Sequence, residues 1–152
     1  MTTPIDPLDF GVDLEEVRQR AQALGYFVSV TDILDATEAL DAERGIPASP
    51  PAAFVAVSSE RAGSNDLIQG FAQRVEVEIS ILFVESATRF DRKSRDQLER
   101  TRKAIIRQFV AWTPRNTQRG LEYRRYRVIS IGNGLAWGEV TFGAVYRLSA
   151  ST

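Results

Sequence analysis

The residues with the clearest potential for chemistry are two glutamates, Glu76 and Glu78, which alternate with apolar residues. Side chains two positions apart share one face of a strand, and paired carboxylates on one face can act as general acid and base. No residue nearby in the sequence indicates a cleft that would shift their pKa values. The pattern therefore favours solvated strand residues or charges at an interface over a catalytic pair.

A second candidate is an acidic segment whose carboxylates could hold a cation: Asp32, Asp35, Glu38 and Asp41. No EF-hand loop or equivalent spacing frames them, and an acidic helix face explains them better. The chain also has no cysteine and no histidine, which removes thiolates, the commonest general base and the commonest metal ligand. Phosphate-loop, dinucleotide-binding, zincin and nucleophile-elbow motifs are missing too. We expect no catalytic residue, metal or cofactor.

Tyrosine and arginine are interleaved in one later segment, where Tyr123 and Tyr126 flank or adjoin Arg124, Arg125 and Arg127. Aromatic and guanidinium groups both stack on nucleic-acid bases. The solvent-exposed face of a hairpin at the edge of a sheet would show the same alternation. A small nucleic-acid-binding module that uses the basic C-terminal half therefore stays as the alternative function.

The net charge of −1 conceals two parts of opposite sign. Residues 1–88 carry 5 Lys and Arg against 15 Asp and Glu, whereas residues 89–152 carry 14 against 5. Two solvated faces that neutralise each other within one fold would explain this split. Complementary patches that meet on neighbouring copies would explain it as well.

The length of 152 residues is close to the commonest domain size and predicts one domain over residues 1–152. Residues 1–12 are interpreted as an extended N-terminal arm, and the proline-rich residues 45–52 as a crossover within the domain. No signal peptide is visible, and no apolar run approaches the roughly 20 residues of a membrane helix. We expect a soluble protein that is made and kept in a cytoplasm, with no membrane partner.

The first part of the chain predicts a helix and a short strand. Asp13 and Glu16 have capping-box spacing, and Gly25 suits a left-handed helix end. The apolar face of this helix consists of Leu14, Val17, Ala21 and Leu24. Tyr26–Val30 favours a strand, and Thr31–Glu43 favours a surface helix or a loop.

Residues 53–85 predict a long hairpin. Ala53–Ser58 is a buried strand, Glu60–Asp66 a polar turn, and Ile68–Glu85 the returning strand. Large apolar residues fill the odd positions of that strand: Val75, Val77, Ile79, Ile81 and Phe83. At about 3.3 Å per residue the strand exceeds what so small a core covers, so one end is expected to project.

Ser94–Trp112 predicts a long helix, which a Ser94–Gln97 capping box begins and Pro114 ends. Its surface is expected to form two ion pairs, Asp96–Arg100 and Glu99–Lys103. A second hairpin follows, with the turn Gly132–Gly134 between Leu121–Ile131 and Leu135–Leu148. The fold class is therefore α+β, a mainly antiparallel sheet of about four to five strands with a long helix and an N-terminal helix packed on it.

Several short motifs occur together, in an order that matches one known family. Ala53–Val57 precedes Glu60-Arg61-Ala62-Gly63-Ser64-Asn65, and Gln73-Arg74-Val75 follows. Further along come Leu98-Glu99, Ala111-Trp112-Thr113-Pro114, Leu121-Glu122-Tyr123, Gly134-Leu135-Ala136-Trp137 and Tyr146-Arg147-Leu148. Over roughly residues 50–150 the chain resembles the phage tail terminator proteins.

This resemblance implies a structural virion protein of the head–tail junction that is assembled in the host cytoplasm and does no catalysis. Such subunits form a ring, typically a hexamer, on the end of the tail tube. The ring stops tube polymerisation and gives head-completion proteins a docking surface, while DNA passes through its lumen without sequence-specific binding.

We expect two surfaces to make the subunit and tube contacts. One is the hairpin, through Arg61, Ser64, Asn65, Asp66, Glu76 and Glu78. The other is the solvent side of the long helix, through Arg100, Lys103 and Arg107.

Overall fold

The computed structural model describes residues 10–32, 49–87 and 91–150, which form an α+β fold with two helices and one five-stranded sheet. In chain order the elements are α1 (Leu14–Gln22), β1 (Ser29–Asp32), β2 (Ala52–Asn65), β3 (Phe71–Ser86), α2 (Arg92–Phe109), β4 (Glu122–Gly132) and β5 (Leu135–Ala150). In the described part of the chain, neither helix is long and apolar enough to span a bilayer.

The sheet has the strand order β1-β2-β3-β5-β4. β1 pairs with β2 in parallel, and every other neighbouring pair is antiparallel. The mainly antiparallel sheet is therefore confirmed, with one parallel pair at its edge. β5 lies between β3 and β4. After β3 the chain therefore passes through α2, on one face of the sheet, to the edge strand β4, and it returns to the middle of the sheet as β5.

The main core lies between the sheet and the two helices. β3 and β5 supply their alternate residues to it: Val75, Val77, Ile79, Ile81, Phe83, Ala136, Val140, Phe142, Ala144 and Tyr146. The helices supply Val17, Ala21, Leu98, Ile105 and Phe109. We call the opposite side of the sheet the outer face. It has a smaller apolar cluster at one end, in which Phe54 stacks on Trp137.

The predicted N-terminal helix is present as α1, but the predicted strand Tyr26–Val30 is wrong, since β1 runs from Ser29 to Asp32. The Asp13 side chain caps α1 by accepting from the Glu15 N–H at 3.1 Å. Glu16 does not complete a capping box, because its carboxylate accepts from the Arg115 N–H. Gly25 has a φ of +69°, the left-handed conformation expected after a helix. The structure also confirms the tight turn between β4 and β5.

The predicted polar turn at Glu60–Asp66 is wrong. β2 continues through these residues to Asn65 and stays paired with β3 as far as Gln73. The turn lies later, and β3 begins at Phe71 instead of Ile68. A run of polar and small residues is typical of a turn, but here it forms the exposed part of a strand. Its side chains do not have to be apolar, because they do not enter the core.

The predicted start and end of α2 are also wrong. Asp91, not Ser94, caps the helix, since its Oδ1 accepts from the Ser94 N–H at 3.0 Å. The helix ends at Phe109, before Pro114 can break it. The two i,i+4 ion pairs are not formed either. Glu99 pairs with Arg102 at 3.2 Å instead.

Three further interpretations fall wholly or largely outside the described residues. They are most of the N-terminal arm, the acidic segment after Asp32 and the first part of the proline-rich crossover. Of the arm, Phe10 lies beside the Tyr146 ring, with 6.3 Å between the ring centroids. Of the crossover, Pro51 accepts a hydrogen bond from the Val28 N–H just before β2.

The loop after α2 provides a stability prediction. The Ala111 N–H donates to the Leu121 carbonyl at 2.9 Å, and a Cβ added at Gly120 would lie 2.6 Å from the Ala111 carbonyl oxygen. Because backbone must move to relieve that contact, Gly120→Ala is expected to lower the free energy of unfolding by about 1–3 kcal/mol in urea denaturation. Gly63→Ala is the control, since its added Cβ would meet only the Arg74 carbonyl oxygen at 3.5 Å. Equal losses in both variants would contradict the clash.

Candidate assembly surfaces

The end of the β2–β3 hairpin is exposed, and its conformation is held by the side chain of Asn65. Its Oδ1 accepts from the Ala72 N–H at 2.8 Å and from the Leu67 N–H at 3.3 Å, while its Nδ2 donates to the Leu67 and Gly70 carbonyls. Gly70 turns the chain with a φ of +83°. Asn65 was predicted as a contact residue, and its amide is already used within the chain.

The other predicted hairpin residues surround this turn. Arg61 and Ser64 are exposed on β2, and Asp66 lies 3.6 Å from the guanidinium of Arg147 on β5. Two apolar residues at the turn itself were not among the predicted contacts. Leu67 is 47% exposed and Ile68 is fully exposed, at 104%. We call residues 65–71 the hairpin tip.

Glu76 and Glu78 lie on the outer face, since the odd residues of β3 point into the main core. Each glutamate has its own arginine. Arg74 lies 3.4 Å from Glu76, and Arg125 lies 3.3 Å from Glu78. These exposed pairs each contribute about 0–1 kcal/mol. The two carboxylates are therefore surface charges on a strand, as the sequence favoured.

The interleaved arginines and tyrosines of β4 point to opposite faces of the sheet. On the outer face, Arg125 pairs with Glu78, and Arg127 pairs with Glu139 at 2.8 Å. On the helix side, Tyr126 stacks on Phe83 and Tyr123 contacts Phe142. The strand therefore does not present a combined platform of exposed rings and free guanidiniums, which single-stranded nucleic acid would need.

Arg100, Lys103 and Arg107 form one exposed row along α2, which we call the basic ridge. Their spacing of three and four residues places them on one side of the helix. None of them forms an ion pair with another described residue. The ridge is therefore a strip of positive charge that the described fold leaves uncompensated.

The basic ridge and the two outer-face glutamates lie on opposite sides of the molecule. α2 packs on one face of the sheet with the ridge turned to solvent, and Glu76 and Glu78 project from the other face. Within one copy the structure does not bring these predicted residues together. Two copies are required for them to meet.

A buried carboxylate, which was not among the predicted site residues, joins the loop after α1 to β3 and α2. Glu85 is 5% exposed and accepts from the Thr101 hydroxyl at 2.5 Å and from the Tyr26 hydroxyl at 2.7 Å. The Tyr26 oxygen in turn accepts from Gln97. Burial raises the pKa of Glu85, although its hydrogen-bond donors act in the opposite direction. The alternation that begins at Val75, continued beyond Phe83, would have placed Glu85 on the core side.

The described residues contain no group of three or more metal-ligating side chains. Asp32 ends β1 at the sheet edge, and the other three acidic residues of the candidate cation site lie outside the described ranges. Among the described residues Glu85 is the least exposed carboxylate, and its partners are hydroxyl groups.

A family model and solved structures both match the chain. A family model described as "Phage tail terminator protein" matches residues 6–152. A chain from a solved structure, "Virion of native gene transfer agent (GTA) particle", superposes with a TM-score of 0.51 at 16% sequence identity, over 92% of this chain and 96% of that chain. At this identity the second match concerns the fold alone. No curated protein matches the chain.

Proposed function

The chain belongs to the phage tail terminator protein family, whose members are structural proteins of the virion, and from this premise we propose that it forms a ring on the end of the tail tube. The ring stops tube polymerisation and offers the docking surface for head-completion proteins. It is a hexamer of identical subunits, and DNA passes through its lumen without sequence-specific binding. The subunit itself performs no catalysis.

One observation from the structure supports the ring. The uncompensated basic ridge and the outer-face glutamates are different patches on opposite sides of one subunit. A contact between unlike patches is heterologous, and a heterologous contact repeats from copy to copy until the rotation closes it. Glu76 and Glu78 of one subunit would then face the ridge of the next, and opposite charges would set its orientation.

Ring formation is tested by measuring mass. Light scattering over a range of concentrations is expected to give a multiple of 17.0 kDa, with six copies as the proposed number. Negative-stain images should show rings, free or on the ends of tail tubes assembled from the tube protein. A protein that stays monomeric at every concentration and leaves tube length unchanged would reject the proposal.

Reversing the charge of the ridge is expected to weaken assembly. The triple variant Arg100→Glu, Lys103→Glu and Arg107→Glu should raise the concentration for half-maximal ring formation about tenfold or more, because each 1.4 kcal/mol changes an association constant tenfold. Its thermal unfolding should change little, since these side chains form no ion pair with a described residue. Sedimentation velocity across a dilution series gives the measurement.

Two matched variants make this test specific. Arg100→Lys, Lys103→Arg and Arg107→Lys keep the charge and should assemble normally. Adding Glu76→Lys and Glu78→Lys to the reversed ridge should restore assembly if these two patches meet. Rings that form equally well with the reversed ridge would exclude it from the contact.

The alternative, a nucleic-acid-binding module, is supported only by the unpaired charge of the basic ridge. Titration with labelled DNA at increasing salt distinguishes the two functions. A phosphate-binding surface would show affinity that falls steeply with salt concentration. We expect weak binding, because the arginines of β4 are paired with glutamates and its tyrosines face the helices.

A further inference from the structure

The turn between β4 and β5 exposes an asparagine that is followed directly by a glycine. Asn133 and Gly134 are the two residues between the paired positions Gly132 and Leu135. Their φ angles of +55° and +77° are both positive, which is the type I′ geometry that suits a two-residue connection. Both residues are exposed, so the turn stands in solvent at the end of the hairpin.

The two groups of this turn that could react with each other are not held by the rest of the described fold. The side-chain amide of Asn133 forms no hydrogen bond with any described residue. The Gly134 N–H donates no backbone hydrogen bond to these residues either. Only the Gly134 carbonyl is used, and it accepts from the Ala87 N–H at 2.7 Å. A reactive amide carbon and a backbone nitrogen are therefore neighbours along the chain, in a turn fixed only at its base.

These groups allow one covalent reaction, which consumes only water. The Gly134 nitrogen bonds to the Asn133 Cγ and gives up its proton, and the side-chain nitrogen leaves as ammonia, so that a cyclic imide forms. Water then opens the ring. Opening at the side-chain carbon leaves an aspartate, and opening at the main-chain carbon leaves an isoaspartate, in which the backbone passes through the former side chain. Either product adds a negative charge.

Gly134 favours the attack in two ways. It has no Cβ to shield its nitrogen, and a Cβ built there would meet no atom within 4 Å, so no neighbouring group covers the turn from that side. Glycine also adopts more backbone conformations than any other residue, so the turn meets little steric resistance when it opens to bring the nitrogen onto Cγ. Such local opening costs least where exposed backbone has few contacts.

The other hairpin end provides an internal comparison. Asn65 is also exposed, but its Oδ1 accepts from two backbone N–H groups and its Nδ2 donates to two carbonyls. These four hydrogen bonds hold the amide in place. The residue that follows is Asp66, whose side chain shields the backbone nitrogen. Exposure is common to both asparagines, whereas a free amide followed by glycine belongs to Asn133 alone of these two.

We propose that Asn133 is a site of spontaneous modification, at which the chain is converted to aspartate and isoaspartate without an enzyme. This inference does not depend on the proposed ring. An isoaspartate lengthens the backbone of a two-residue connection, and the length of the connection sets the register of a hairpin. The isoaspartate form is therefore expected to lose pairing between Gly132 and Leu135 and the hydrogen bond from Ala87.

Peptide mapping by mass spectrometry tests the proposal on the folded, full-length chain. Trypsin places the two asparagines on separate peptides, residues 62–74 and 128–147. After prolonged incubation at mildly alkaline pH, the second peptide should show the mass change from amide to acid in two forms that separate by chromatography. An isoaspartyl methyltransferase should label one of them. The modified fraction at Asn133 should exceed that at Asn65 several-fold and should rise with pH, because the attacking nitrogen must lose its proton.

Two variants separate the chemistry from simple exposure. Gly134→Ala should slow the modification several-fold, since the new Cβ shields the nitrogen, and thermal unfolding confirms that the variant is folded. Asn133→Ser should leave residues 128–147 unmodified. An Asn133 that reacts no faster than Asn65 would overturn the proposal. Equal rates in the wild type and folded Gly134→Ala would overturn it as well, because the glycine would then have no part in the reaction.

Discussion

Phe142→Ala is expected to lower the free energy of unfolding by about 3–5 kcal/mol, the usual cost of removing a fully buried phenylalanine. Phe142 is 0% exposed at the centre of β5. Its ring lies 5.5 Å from that of Phe109 on α2 and 6.2 Å from that of Tyr123 on β4. One side chain thus joins the helix to two strands, and surrounding groups on different elements cannot all move to fill the space.

Urea denaturation measures this loss, with the midpoint expected to fall at an unchanged slope. The protein concentration should lie below that of ring formation, because assembly stabilises the folded subunit. Val128→Ala on the adjacent strand is the control, since Val128 is 44% exposed and should change stability by about 0.5 kcal/mol or less. A loss below about 1 kcal/mol for Phe142→Ala would mean that the core does not depend on this ring.

The alternation of apolar and polar residues predicted the strands correctly where one face of the strand is buried in the core. The alternation Val75 to Phe83 predicts β3, and these side chains do enter the main core. The same holds for β5, where Val140, Phe142 and Tyr146 share the buried face as expected. In both strands, a shift of one residue would turn charged side chains into the core and apolar side chains out of it. The sequence therefore has to alternate.

Pattern failed where the strand leaves the core. In β2 the stretch that includes Glu60 and Gly63 is fully exposed on a paired strand, and nothing in its composition distinguishes it from a loop. The position of β5 between β3 and β4 was equally hidden, because strand order depends on contacts distant in sequence. The capping residue of α2 was misplaced by three positions for a simpler reason, since Asp91 and Ser94 are both good caps.

Of the candidate site, too, one part could be predicted from the sequence and another part could not. Exposed charge was readable from sequence, because the spacing of Arg100, Lys103 and Arg107 places them on one side of any helix through them. The apolar tip was not readable, since Ile68 was assigned to a strand where its side chain would be ordinary. Its significance depends on the position of the turn, which only the pairing of β2 with β3 determines.

Glu85→Ala is expected to lower the free energy of unfolding by about 2–4 kcal/mol at acidic pH. The change removes a buried side chain and leaves the buried Thr101 hydroxyl without the acceptor 2.5 Å away, and an unsatisfied buried group alone costs about 1–3 kcal/mol. It also releases the Tyr26 hydroxyl, which ties the loop after α1 to the sheet. Urea denaturation measures the loss, and Ser86→Ala, at the neighbouring exposed position, is the control.

The pH dependence of the free energy of unfolding separates the effect of the titrating Glu85 carboxylate from the effect of the size and shape of its side chain. Burial raises the pKa of Glu85 above its usual value of 4.5, so between 4.5 and the raised pKa the folded protein holds a proton that the unfolded chain has lost. The free energy of unfolding therefore falls as pH rises through that window, and it levels off above the folded pKa. Glu85→Gln keeps the size of the side chain and removes this titration. The stability of Glu85→Gln relative to the wild type should increase from pH 4.5 upwards, and a constant difference from pH 4 to pH 8 would show that Glu85 does not titrate with a raised pKa in the folded subunit.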